Sequence, residues 1–386
     1  MVSTALQVIP NCVPFIVGNE VEYLKEAVET GWLSSAGPFV DRFESVFADY
    51  HNVPSAAALS SGTAAIHLGL ISLGVGPEDL VLCPTLTFVA TVNPIRYCGA
   101  DPVFLDVEDE TLCLDPQCLS DFLAKDTETR ESGLFHKTSG RRIAAMIVVH
   151  LYGNPAPMQP ILELSRKYGL PVLEDAAESL GARYQGQLVG TLGDVGCFSF
   201  NGNKIITTGG GGMIISKQPE TVSLCKHLST QAKSDPVEFI HDQVGYNYRL
   251  SNLAAAVGTA QMEHLENFVA RKRANASCYT AVLSQGGQWS ILSELKACRG
   301  TYWMVVARSS ARHDVQTVQE KVRLWSRQGI GVRPIWYPLH KFPIYRDAFY
   351  YGGKRAETAY HRSICLPSSV GLSEIEISRV AEVIEA

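Results

Sequence analysis

Residues 141–175 read RRIAAMIVVHLYGNPAPMQPILELSRKYGLPVLED. The stretch opens on a continuous apolar run through Val149 and closes on a second, LPVLED. Between them, MQPILELSRKYG has the period of an amphipathic helix and stops at Gly169. Two short strands with no polar face, joined through a helix, are the signature of a parallel sheet covered on both sides. The pattern continues outward in both directions. A short strand is expected over residues 56–59, then a Ser-Ser-Gly-Thr turn and a helix from about Thr63. LVLCPTLTF, PVFLDV, GCFSF and GGMIIS read as further strands, and TVNPIRYCG as a helix or turn. The expected fold class is α/β: a large domain with a mostly parallel sheet covered by helices, plus a smaller α+β C-terminal domain.

The flanks are read the same way. NEVEYLKEAVET predicts a helix with Val21, Leu24 and Val28 on its buried face, and DRFESVFADY predicts another. The charged stretch 126–142 reads as a solvated loop. After Ser251 a long helix, or two in series, links the large domain to the small one, so the expected division is 1–262 and 263–386.

Composition narrows the class. With 46% hydrophobic and 19% charged residues, the 386-residue chain has enough apolar material for a sizeable core. Lys and Arg number 33 against 39 Asp and Glu, a net charge of −6 that gives no electrostatic reason to bind nucleic acid or an anionic membrane. No run approaches the roughly 18 apolar residues of a membrane helix. The ten cysteines never pair as C-x-x-C, and several sit in apolar runs, which fits free thiols in a reducing cytoplasm. The opening MVSTALQVIPNCVPF lacks a basic n-region and a long apolar h-region, so no signal peptide is expected.

Several familiar motifs are absent. The glycines 209–212 lead into a strand rather than a helix, which removes a dinucleotide-binding reading. The chain has no G-x-x-x-x-G-K-[ST] and no G-x-S-x-G. It also lacks H-E-x-x-H, and its histidines are dispersed, so metal catalysis has no support in the sequence.

Three other features carry chemistry together. Ser61-Gly62-Thr63-Ala64-Ala65 opens a helix with small residues and a hydroxyl, which suits either a phosphate or an ordinary N-cap. Glu174-Asp175 ends a parallel strand, where ligands of such sheets gather; a carboxylate there can hold a cation or cap a helix. Ser199 ends another strand, and Lys204 follows in a turn without acidic neighbours in sequence. Such a lysine is a solvated loop residue or, when desolvated, a nucleophile. A phosphorylated aldehyde joins all three: lysine to the aldehyde, the turn and Ser199 to the phosphate, Asp175 to a ring nitrogen. That is the chemistry of pyridoxal 5′-phosphate.

On these residues the chain resembles the DegT/DnrJ/EryC1/StrS family of sugar aminotransferases, which have the fold-type I architecture. GWLSSAGPFVDRFESVFADY, LSSGTAAIHLGL, PTLTFVATVNPI, GADPVFLDV, VVHLYGNPAPM, VLEDAAESLGARYQG, GDVGCFSFNGNK and VGYNYRLSNLAAAVGTAQ match its blocks in order, nearly end to end. The resemblance implies that Lys204 is the Schiff-base lysine and the base that moves the substrate proton, and that Asp175 pairs with the pyridine nitrogen. It implies that Gly62, Thr63, Ala64 and Ser199 hold the phosphate and that Phe88 stacks on the ring. Asn247 would serve the partner subunit's phosphate, so the active site is shared across a homodimer. Many members have glutamine where this chain has Glu178, beside the phenolic oxygen of the cofactor. A carboxylate repels a phenolate unless one of them carries a proton.

The implied reaction is ping-pong transamination, moving an amino group from glutamate to the 4-keto carbon of a nucleotide-linked sugar. DAAES with NGNKIITTGGGG resembles the branch acting on UDP-linked 4-keto-6-deoxy N-acetyl sugars, of the legionaminic acid and bacillosamine type. Arg249, the loop Trp32–Gly37 with Ser35, and RPIWYPLH with His340 are candidates for the nucleotide sugar; His340 reads equally as a packed core histidine. Three rivals stand beside this reading. A sugar 3-dehydratase of the family would carry histidine in place of Lys204. An amino-acid aminotransferase of the same fold needs an arginine clamp for the α-carboxylate. A non-catalytic regulatory protein has no use for an intact Lys204 and Asp175.

Overall fold

The structure, a computed structural model, describes residues 8–235, 237–296, 298–310 and 315–386. Helices α1 (Glu20–Glu29) and α2 (Pro38–His51) precede strand β1 (Ser55–Leu59) and helix α3 (Gly62–Ser72). Then come β2 (Leu80–Pro84), α4 (Asn93–Tyr97), β3 (Asp101–Leu105) and α5 (Pro116–Lys125). The decisive stretch folds as read: β6 (Arg142–Val149), α6 (Met158–Tyr168) and β7 (Val172–Asp175), after a hairpin of β4 (Thr127–Arg130) and β5 (Gly133–His136). β6 and β7 lie side by side and parallel, Met146 opposite Val172 and Val149 opposite Asp175.

Two short strands, β8 (Arg183–Tyr184) and β9 (Gln187–Leu188), lead to β10 (Val195–Ser199) and β11 (Gly212–Ser216), which helix α7 (Pro219–Ser229) follows. The main sheet runs β1-β11-β10-β7-β6-β2-β3 and ends on Phe349–Tyr351. β10, β7, β6, β2, β3 and the last strand are parallel; β11 is antiparallel to both of its neighbours. β2, β7 and β11 are buried along their whole length, as continuous apolar strands must be when helices cover both faces.

Two expectations need correction, and one that was left open is decided. In α1 the buried positions are Glu20 and Ala27, while Val21 and Val28 stand 73% and 58% exposed. The helix is turned because Glu20 itself goes inward, accepting from Gly18 N at 2.8 Å and from Gln261 Nε2. Residues 126–142 are not a loop: β5 pairs with β6 as well as β4, and buries Leu134 and His136. The charged residues of that hairpin occupy its outer side. Thirdly, the run after Ser251 is two helices, α8 (Asn252–Met262) and α9 (Leu265–Gly286), which the sequence had left open.

Beyond α9, strands Trp289–Ile291, Val305–Ser309, Ser363–Leu366 and Arg333–Pro334 form a four-stranded antiparallel sheet. The later part of α9 and helix Glu374–Glu385 pack with it around a second core that includes Tyr279, Trp289, Trp325 and Ile364. Trp303, Ile335 and Cys365 from this region enter the main core instead, which brings the C-terminal segment against the carboxyl edge of the large sheet.

Candidate active site

Because β2, β6, β7 and β10 run the same way, their carboxyl ends meet along one edge. A cavity of about 500 Å³ lies there, and Gly62, Thr63, Phe88, Asp175, Glu178, Ser199 and Lys204 all line it.

Its phosphate-sized end is made by the start of α3. Ser61 caps this helix, its Oγ accepting from Ala64 N at 3.1 Å. The expected role of Ala64 therefore changes: its N–H is satisfied inside the turn, and Ala64 is absent from the cavity wall. Gly62 and Gly212 are required by close approach. A Cβ on Gly62 would stand 2.7 Å from Ser199 Cβ, and one on Gly212 would stand 2.4 Å from Ser61 O. The start of α3, with the positive end of its dipole, and the hydroxyl-bearing Thr63 and Ser199 line the space these glycines keep open.

Asp175 ends β7 inside the cavity, while Glu174 points to the opposite face. Thr91 Oγ1 donates to Asp175 Oδ2 at 2.7 Å and Ala177 N donates to Oδ1 at 3.1 Å. Burial pushes the Asp175 carboxyl above its usual range, partly countered by those two donors. Glu174 accepts from Gly190 N, Leu192 N and Gly193 N and pairs with His150 Nε2 at 2.8 Å. His150 Nδ1 accepts from Ala156 N at 3.1 Å, so its ring proton belongs on Nε2, facing Glu174. This buried anchor fixes the backbone that presents Asp175.

Lys204 follows β10 in a turn closed by its own N–H on Asn201 O at 2.9 Å. Its side chain is only 12% exposed, and Nζ lies 3.9 Å over the Trp303 ring. Burial holds the amine below the usual lysine range. It does have an acidic partner in space: Glu178 Oε1, 3.8 Å away. Glu178 in turn accepts from Tyr152 N at 2.8 Å and Trp336 Nε1 at 3.2 Å, and burial raises its carboxyl.

The remaining expected residues stand elsewhere. Ser35 and Arg249 line a separate cavity of about 270 Å³. Asn247 is exposed and away from the first cavity. His340 is a packed histidine: Nδ1 meets Thr85 Oγ1 at 2.6 Å, its ring stacks on Tyr350 at 4.0 Å, and it does not reach the cavity. Conversely, Thr87, Thr91, Trp303, Arg333 and Trp336 line the cavity without having been singled out. Thr91 lies inside a quoted block and Arg333 and Trp336 inside RPIWYPLH, but nothing local marked them. Trp303 had no signal at all.

The residues present fit pyridoxal phosphate. The cavity has a glycine-lined anion end, a buried carboxylate for a protonated ring nitrogen and a desolvated amine. This is the fold and centre of the fold-type I aminotransferases. The aminotransferase TlmJ from Streptoalloteichus hindustanus, of known crystal structure, matches with TM-score 0.87 and 28% identity over 98% of each chain. The chain belongs to the DegT/DnrJ/EryC1/StrS aminotransferase family, whose model matches residues 14–385. EpsN of Bacillus subtilis (strain 168), named as a pyridoxal phosphate-dependent aminotransferase, is 39% identical over 96% of this chain and 93% of its own. GDP-perosamine synthase of Escherichia coli O157:H7 is 37% identical over 98% of both. The protein is therefore a pyridoxal phosphate-dependent sugar aminotransferase. No helix among the described residues is long and apolar enough to cross a membrane.

Proposed function

We propose that the enzyme moves an amino group from glutamate to the 4-keto carbon of a nucleotide-linked deoxy sugar. The observation that carries this reading is the meeting of Lys204 and Asp175 in one cavity. When bound, the cofactor supplies an electron sink for the carbon that gains or loses the amine. Gly62, Thr63 and Ser199 would hold its phosphate, Asp175 its ring nitrogen and Phe88 the ring face. Lys204 Nζ is the amine for its aldehyde and, once freed, the group that moves a proton to and from the substrate carbon. Phe88, Trp303 and Trp336 are the aromatic part of the wall and limit water at that amine.

Arg333 is the cavity's second cation and makes no ion pair among the described residues. It is the anchor for the donor's α-carboxylate. The exposed Asn247 suits the role of entering a partner subunit's cavity in a homodimer, with Arg249 and Ser35 beside that junction. The break between α8 and α9 suits a cofactor domain of residues 1–262 and a smaller domain of 263–386, although Phe349–Tyr351 returns to the main sheet and the start of α9 packs in the main core. Ten free cysteines, most of them buried, suit a cytoplasmic setting.

The sequence resemblance favours a UDP-linked N-acetyl sugar, while the relative named GDP-perosamine synthase brings a GDP-linked sugar forward. The test offers UDP- and GDP-linked 4-keto-6-deoxy sugars with glutamate and reads the products by mass spectrometry. Replacement of the keto oxygen by an amine, abolished by Lys204→Ala, is expected. Transamination at full rate in Lys204→Ala would overturn the mechanism, and no amination of any keto sugar would overturn the substrate class.

A further inference from the structure

Glu178 is the carboxylate nearest the reactive amine, and its surroundings give it more than a pairing role. Lys204 must lose a proton before its nitrogen can attack an aldehyde. Both groups are largely withdrawn from solvent: Lys204 Nζ lies over the Trp303 ring, and Glu178 is buried and accepts from Trp336 Nε1 and Tyr152 N. Two buried carboxylates compete for the proton. Asp175 holds two good donors, from Thr91 and Ala177. Glu178 also holds two, Tyr152 N on Oε2 at 2.8 Å and the longer Trp336 Nε1 on Oε1 at 3.2 Å, but it is Glu178 Oε1 that lies 3.8 Å from Lys204 Nζ. The other groups around Glu178 are Asp175, whose negative charge opposes a carboxylate there, the neutral thiol of Cys365, which burial pushes up, and Arg333 on the strand beside Cys365.

We propose that Glu178 accepts the proton of Lys204 and keeps it on its buried carboxyl. One N–H bond of the ammonium breaks and one O–H bond forms on Glu178 Oε1. The positive and negative charges vanish together, and no oxidant or other reactant is needed. The step leaves a neutral amine ready to bond and a neutral acid beside it. A neutral acid can donate a hydrogen bond to an oxygen that a carboxylate would repel. It also removes the like-charge repulsion of Asp175 on Glu178 once the ammonium charge that countered it is gone. Burial raises the Glu178 carboxyl and lowers the Lys204 amine, which favours the transfer in that direction.

The proposal rests on Lys204 being the amine that links to pyridoxal phosphate. The experiment is infrared difference spectroscopy of the ligand-free protein during titration with pyridoxal phosphate. The wild type should gain a carbonyl-stretch band of a protonated carboxylic acid, shifted in D2O. Glu178→Gln should not gain it, nor should Lys204→Ala, which lacks the proton source. Labelling with 13C-glutamate, which needs no substitution, should move the band, and 13C-aspartate should not. The proposal fails if the wild type shows no such band, if the band follows aspartate, or if it survives in Lys204→Ala. A protein that takes up pyridoxal phosphate and turns over without the band sinks this inference alone. One that takes up none sinks the functional reading with it.

Discussion

Thr91 Oγ1 donates to Asp175 Oδ2 across 2.7 Å and itself meets Thr87 Oγ1 at 2.8 Å. All three side chains are buried. A hydroxyl chain of this kind holds the carboxylate in one rotamer and counters part of the burial that raises it. Asp175 is thus positioned by the loop after β2, not by its own strand alone.

Thr91→Val keeps the shape and removes the donor. A hydrogen bond to a charged acceptor contributes about 1.5–3 kcal/mol. Binding of pyridoxal phosphate, measured by absorbance titration, should weaken by roughly ten- to a hundredfold. Unchanged affinity would show that Asp175 needs no support from Thr91.

Gly62→Ala tests the anion end. Its Cβ would meet Ser199 Cβ at 2.7 Å and Oγ at 3.2 Å, so Ser199 or the turn must move. Such overpacking costs about 1–3 kcal/mol. Pyridoxal phosphate affinity should fall at least about tenfold, with a lower Tm for the ligand-free protein. Gly210→Ala is the contrast, because a Cβ there meets nothing within 4 Å and its φ is ordinary. Its Tm should stay within about a degree or two of wild type, the effect of an unremarkable surface change.

The division between what was legible and what was not follows the range of the interactions. Lys204, Asp175, Ser199 and the turn around Gly62 could be read because each is a short motif at a strand end, and strand ends of a parallel sheet converge by rule. Trp303, Arg333 and Trp336 arrive from short, irregular elements more than 90 residues further along the chain than Lys204. Only the tertiary fold gives them a place. Lys204 looked free of acids because its partner, Glu178, is on a different strand-to-loop junction. The face of α1 was misread because periodicity counts valines, whereas the helix buries a glutamate that satisfies two donors. His340 satisfied either reading in sequence; the hydroxyl of Thr85 and the ring of Tyr350 decide for packing.

Arg333→Leu separates the two half-reactions. The guanidinium lines the cavity without an ion partner among the described residues, so its loss leaves no buried carboxylate stranded. A bidentate contact to a carboxylate gives about 1.5–3 kcal/mol. The KM for glutamate should rise roughly ten- to a hundredfold. The KM for the nucleotide sugar should change little. A rise confined to the sugar would instead assign Arg333 to the diphosphate.

His51 gives the fold a pH limit of its own, outside the cavity lining. It is buried between the rings of Phe47 and Phe198, 4.4 and 4.9 Å away. Nδ1 bonds to Phe47 O at 2.9 Å, and Nε2 is buried without a partner. Burial pushes the imidazole from 6.5 down to about 4, the nearby Arg183 adding to it and Glu174 opposing. The unfolded chain therefore binds a proton below about pH 6.5 that the folded protein refuses until about pH 4. Stability must fall as the pH drops through that window and level off below it. At about 1.4 kcal/mol per pH unit, the loss reaches about 3 kcal/mol. His51→Phe removes the titrating group and keeps a ring between its neighbours. Urea unfolding of the two proteins across this range should show the variant losing less stability toward acid. Parallel curves would mean that the acid sensitivity comes from elsewhere in the chain.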